Sequence, residues 1–197
     1  MSFTTGGLYL PESVGFASAF LQCGSWKEAR EQVAEQNLFM ARTQKSAGRA
    51  IGEVSARLKT LSEAELHLLV DGTHPEQQAL LWVAACRSYP FVRDFAMEVL
   101  RENFLSFRGV LATEDYTYFY TKKAELEPRL DEISEQTQNK LRQVLYKMMR
   151  DASLLTDEHV IIPSKLTTDC IRTIARKNPK DLMLFPVFES DVKVASQ

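Results

Sequence analysis

Apolar residues along this chain recur at three- and four-residue spacings. Ile51, Val54 and Leu58 fall on one side of a helix drawn through 43–60, and Leu141, Val144, Leu145 and Met148 do the same over 134–151. Extended along the chain, the pattern predicts helices near 11–22, 26–39, 43–60, 63–71, 75–88, 90–107, 113–123, 134–151, 168–177 and 180–185. Local chemistry marks several starts. Ser25 with Glu28 and Ser62 with Glu65 have the capping-box spacing, in which hydroxyl and carboxylate satisfy the free amides of a first turn, and Thr73 precedes Glu76 in the same sense. Pro11 and Glu12 suit the opening of the first helix, where a missing N–H costs nothing and a carboxylate meets the positive end of the dipole. The longest apolar run, Ala79 to Cys86, stops at Arg87 and is too short to span a membrane, so it reads as a buried core helix. Only 158–163, rich in β-branched residues and closed by Pro163, reads as a strand. The predicted fold is all-α: a compact multi-helix globular protein with, at most, a small winged-helix-like β element near the C-terminus.

No repeat or long flexible linker divides the chain. The seam falls at Arg108–Thr113, where Gly109 stops one helix and Thr113 can cap the next. This gives a helical part over 1–108 and a second helical part over 109–197, packed as one unit. With 197 residues, 45% hydrophobic and 25% charged, such a unit can bury a sizeable core. Nothing resembles an export signal, so a cytoplasmic location without membrane association is expected. Cys23, Cys86 and Cys170 are few, odd in number and far apart, which fits a reducing compartment. His67, His74 and His159 form no metal-ligand spacing with one another or with a cysteine.

Net charge is only −2, yet its distribution is uneven. From Arg42 to Lys59 the cations Arg42, Lys45, Arg49, Arg57 and Lys59 face the single carboxylate Glu53. Arg42, Lys45 and Arg49 stack on the side opposite Ala47, Ile51, Val54 and Leu58, so this helix is expected to dock by its aliphatic side and hold a basic ridge outward. Small residues along it, Gly48 and Gly52 among them, would let a phosphate backbone come close. A polyanion responds to such local potential rather than to net charge.

The helix 134–151 sets Gln136, Lys140, Gln143, Lys147 and Arg150 against its apolar side. Two readings of it stay open: the recognition helix of a winged helix, or a scaffold helix with a snorkelling polar side. A third cluster is Arg172, Arg176, Lys177 and Lys180, of which Arg176 and Lys177 fall at a helix end where cations meet the negative end of the dipole, which accounts for half of it without any ligand. The apolar tail from Asp181 to Phe188 is expected to pack on the core.

Enzymatic chemistry finds no foothold. There is no phosphate-binding Gly-Lys-Ser/Thr loop after Gly6-Gly7, no Gly-x-Ser-x-Gly elbow, no dinucleotide fingerprint and no metal-ligand set. A non-enzymatic role without cofactor or small-molecule substrate is expected.

The opening Thr5-Gly6-Gly7-Leu8, leading into Glu12-Ser13, is the most distinctive stretch, because two glycines there permit positive φ or close backbone approach. Further along come Arg57-Leu58-Lys59-Thr60-Leu61, Arg93-Asp94-Phe95 with Glu98-Val99-Leu100-Arg101, Lys140 to Leu145, and Ile162-Pro163. In this order and spacing the segments resemble the BrxA family, small proteins encoded in the BREX phage-defence operons of bacteria. The resemblance implies an all-helical DNA-binding component with a NusB-like fold. Its partners would then be double-stranded DNA and other BREX core proteins, with Arg42, Lys45, Arg49, Arg57, Lys59, Lys140 and Lys147 as contact residues. Two other readings stay open: an adaptor whose basic helices meet acidic protein surfaces, and an RNA-binding NusB-like protein.

Overall fold

The computed structural model describes residues 6–41, 43–188 and 190. Helices follow one another with short connections: α1 (Leu10–Cys23), α2 (Trp26–Glu35), α3 (Gln44–Leu58), α4 (Glu63–Asp71), α5 (His74–Ser88) and α6 (Pro90–Phe95). A π-helical turn, Ala96–Arg101, joins α6 to α7 (Glu102–Leu105). Then come α8 (Thr113–Leu126), α9 (Pro128–Asp131), α10 (Glu135–Asp151), α11 (Thr168–Lys177) and a closing 3₁₀ turn, Pro179–Leu184. The fold is all-α, and among the described residues no helix is long and apolar enough to cross a membrane.

Local signals placed the starts. Ser62 and Glu65 close a reciprocal box, the Ser62 N–H donating to the Glu65 carboxylate at 2.6 Å. At the head of α3 the box is made by Thr43 and Ser46. The second helix stops at Glu35 rather than near 39, because Asn37 turns left-handed (φ 47°) and Leu38 N–H caps back to the Val33 carbonyl.

The predicted strand at 158–163 is not a ladder strand. It contributes single antiparallel bridges, Val110 with Val160 and Leu155 with Ile161, because the segments beside it are too short to extend the pairing. The winged-helix-like sheet is therefore reduced to a minimal ribbon.

The core forms around α5, whose residues Leu80 to Cys86 are all buried. Side chains from both sides of the 108/109 seam enter this core, as where Phe95 meets Phe119 edge-on at 5.1 Å. The tail packs on it too: the Trp82 indole N–H donates to the Leu184 carbonyl at 2.9 Å, and Leu182, Leu184, Phe185 and Val187 are buried.

Two buried polar joints fix the helices relative to one another. Arg87, at the end of α5, grips Glu65 of α4 with both terminal nitrogens (2.7 and 2.9 Å), donates from Nε to Asp181 (2.8 Å) and reaches the Thr60 carbonyl (3.0 Å). Glu76, in the first turn of α5, accepts from the Thr73 N–H and hydroxyl and from the Thr167 hydroxyl just before α11. The Thr167 bond, then the Thr73 N–H, hold the Glu76 carboxyl below its ordinary 4.5 against the opposing effect of burial. Because the folded pKa is depressed, this stabilisation is complete above about pH 4.5 and fades as pH falls through the folded value. Thr167→Val is expected to lower stability by about 1–3 kcal/mol at pH 7. In paired urea melts the deficit should shrink at pH 3; a deficit of equal size there would place the effect elsewhere than in the charged hydrogen bond.

Candidate nucleic-acid interface

Helix α3 docks as its periodicity requires: Ile51, Val54 and Leu58 are 3%, 1% and 0% exposed. Lys45 and Arg49 stand exposed on the other side. Arg42, the third member of the expected ridge, lies outside the described residues. The stretch's one carboxylate, Glu53, is turned away from the ridge. It accepts from Arg57 at 2.6 Å and from the Tyr89 hydroxyl, and burial, followed by this bond, pushes that hydroxyl up to about 12. Among the described residues no ion pair engages Lys45 or Arg49 on the outward side of α3. A Cβ added at Gly48 or Gly52 would meet nothing within 4 Å, so packing does not call for either glycine.

Arg57 departs from the expectation. Its residue is 2% exposed, and the guanidinium donates to the Gly7 carbonyl at 2.8 Å as well as to Glu53, which leaves it a structural residue rather than a phosphate contact. The sequence offered it as a further contact residue of the same basic stretch, although Arg57 lies eight residues beyond Arg49, about 12 Å along the axis. Lys59, just past α3, is exposed, with its ammonium 5.9 Å from the centre of the Trp26 ring, beside a shallow groove of about 340 Å³ lined by Phe20, Gly24 and Leu66.

Helix α10 buries Leu141, Val144, Leu145 and Met148. Lys140 is exposed on its polar side beside Gln136, Asn139 and Gln143. Lys147 is exposed as well, but it is paired with Asp151 at 3.0 Å. The expected contact residues therefore separate into the α3 ridge, Lys59 near Trp26, and the α10 side.

What links α3 to α10 is the glycine pair. Gly6 adopts φ +72°, and Gly7 passes so close to α10 that an added Cβ would lie 1.8 Å from the Asp151 Oδ2. The same carboxylate accepts the Leu8 N–H at 2.9 Å, while Arg57 holds the Gly7 carbonyl. Leu8 is buried and Tyr9 half-buried, as expected from the sequence; Phe3, expected to be partly buried, lies outside the described residues. Beside this strap opens a cleft of about 490 Å³ into which Glu12, His74, Gln78, Lys147 and Arg150 project. Sequence reasoning missed this cleft. The glycine pair signalled a close approach, but not which helix end it approached.

The BrxA family model matches residues 1–178. The chain belongs to the BrxA family. Relatives include the BREX protein BrxA of Escherichia coli O9:H4 (strain HS), 28% identical over 147 residues, or 75% of this chain and 69% of that protein. The BREX protein BrxA of Paramagnetospirillum magneticum (strain AMB-1) is 24% identical over 152 residues, or 77% and 76% of the two chains. The chain is thus a homologue of BREX phage-defence components. A crystal structure of an uncharacterized protein from Magnetospirillum magneticum has the same fold, with a TM-score of 0.78 at 18% identity over 92% of this chain and 94% of that one. In this BrxA-family member the glycine pair serves architecture by tying α3 to α10.

Gly7→Val is accordingly expected to destabilise the protein by about 1–3 kcal/mol, because Asp151 must give up its place against Leu8 and Lys147. An unchanged melting temperature would mean that the strap is not needed for stability.

Proposed function

We propose that this chain is a non-enzymatic BREX phage-defence component, working in the cytoplasm beside other BREX proteins, that binds duplex DNA with little sequence preference. The observation that carries the reading is the outward side of α3, where Lys45 and Arg49 stand exposed while Glu53 is engaged by Arg57 and Tyr89. Gly48 and Gly52 supply the close approach a sugar-phosphate backbone needs, at a cost to the helix of up to about 1 kcal/mol each that packing does not repay. Arg42, on the sequence pattern, extends the same ridge. Lys140 and Lys147 add a second, weaker contribution from α10, and Lys59 a third beside Trp26.

The test is an electrophoretic shift of the purified chain on a random-sequence duplex and on single- and double-stranded RNA, at several salt concentrations and without any protein partner. Binding through phosphates gives a log–log salt slope of roughly −0.9 per phosphate neutralised. Absence of a complex at low salt, or affinity indifferent to salt, refutes the reading; preference for RNA redirects it to the NusB-like alternative.

A further inference from the structure

Three short extended segments meet beyond the end of α7. Leu111 N–H donates to the His159 carbonyl at 2.9 Å and Ile161 N–H to the Gly109 carbonyl at 2.8 Å, so 109–111 lies against 159–161. On the other side, Thr156 N–H donates to Val160 and Ile162 N–H to Leu154. The middle of this ribbon is 159–162, and 109–111 is its edge. Leu111 and Ile161 turn inward and are buried, and the His159 ring packs against Tyr146. Val110 and Val160 turn outward, 55% and 41% exposed. In this antiparallel pairing the bonds are made by the residues flanking Val110, so its own N–H and C=O point out of the ribbon. Among the described residues neither has a hydrogen-bond partner.

Three residues upstream, Phe107 follows Ser106, the residue that caps α7. Its N–H bonds to the Phe104 carbonyl, and Arg108 N–H bonds back to Asn103, which makes Phe107 the left-handed residue of a helix-ending motif at φ 57°. Glycine is the usual occupant of that position, because a Cβ is strained there. Phe107 is nonetheless 85% exposed, and among the described residues its ring neighbour is Phe188 (6.3 Å between centres), itself 38% exposed. Neither backbone preference nor burial accounts for a phenylalanine at this site. Glu102 in α7, Glu114 in the first turn of α8, and Glu158 next to the His159 that pairs with Leu111 are exposed, as is Lys165, while Arg108 is bound to Asp115.

We infer that this edge receives an extended segment of a partner protein, which pairs through the Val110 N–H and C=O in a further single bridge. The segment's central apolar side chain would seat among Phe107, Val110 and Phe188, with flanking lysine or arginine facing the carboxylates. The surface is distinct from the α3 ridge, and nothing in the inference depends on DNA binding.

The test uses the full chain, uniformly labelled with ¹⁵N, and three synthetic peptides as probes: Lys-Lys-Val-Thr-Phe-Thr-Val-Lys-Lys, the same peptide with glutamate for every lysine, and the same with proline for both threonines. The lysine peptide is expected to shift the Val110, Leu111 and Val160 amides, slow exchange at the Val110 N–H at least tenfold, and bind at least tenfold more tightly than the other two. Phe107→Gly is expected to keep or raise the melting temperature while weakening the peptide at least fivefold. The inference is overturned by no shifts at this edge with millimolar lysine peptide, by equal binding of the glutamate or proline peptide, or by Phe107→Gly melting lower with peptide binding intact. Self-association through the same amides, read by sedimentation, would equally overturn it by making a second copy the occupant.

Discussion

Arg87→Met is expected to lower folding stability by about 3–5 kcal/mol, since removing one member of a buried charged network leaves the others uncompensated. Glu65 is fully buried and Asp181 nearly so, and both carboxylates meet at the same guanidinium. Methionine fills much of the volume but supplies no donor. Two like charges are then left facing each other, and the Thr60 carbonyl loses its Arg87 hydrogen bond. For a chain of this size the loss corresponds to a fall in melting temperature on the order of 10 °C. Arg87→Lys should recover only part of it, because an ammonium cannot reproduce the two-pronged grip on Glu65 together with the Nε bond to Asp181. Combining Arg87→Met with Glu65→Gln and Asp181→Asn should recover more than lysine does, by removing the charges that were stranded. Thermal and urea melts of the four proteins decide the matter; a methionine variant within about 1 kcal/mol of the parent, the ordinary scale of a point mutation, would show that the network contributes little.

The second large effect concerns DNA. Lys45→Glu with Arg49→Glu is expected to weaken duplex binding at least tenfold and to make the log–log salt slope shallower by about 2, as two phosphate contacts are lost. Both side chains are exposed on α3, so circular dichroism and melting temperature should stay near those of the parent. Arg57 is not a suitable choice for this experiment, because replacing it would break the joint to Gly7 and Glu53 and confuse folding with binding. Lys140→Glu is the informative comparison and should cost less affinity than the α3 pair. In cells carrying the complete defence system, phage exclusion should be lost together with DNA binding. A double variant that no longer shifts DNA yet still excludes phage would refute the role proposed for the ridge and favour protein docking as the essential act.

Much of the helical layout was legible from the sequence because its signals are local. Ser62 with Glu65 and Thr73 with Glu76 sit three residues apart and close their bonds within a single turn, so α4 and α5 begin where spacing says they should. The docking side of α3 was equally legible, since a 3.6-residue period sorts Ile51, Val54 and Leu58 from Lys45 and Arg49 whatever the helix packs against. Local reasoning was weaker where a partner distant in the chain decides the outcome. Residues 158–163 have the β-branched composition of a strand, but a strand needs neighbours long enough to pair with, and 109–111 and 154–156 allow one bridge each. Arg57 and Arg49 are both arginines on one helix; the Gly7 carbonyl, 50 residues away, draws Arg57 into the interior and leaves Arg49 in solvent. Sequence by itself thus determined most of the helices and the aliphatic sides of α3 and α10, because those depend on contacts within a few residues, and the order of its motifs marked the family; the short α9 and the π-helical turn at Ala96–Arg101 were not foreseen. Tertiary structure alone decided which cations are free, which carboxylates are engaged and what the glycine pair touches, because a charge is committed or available according to what the fold brings within hydrogen-bond reach.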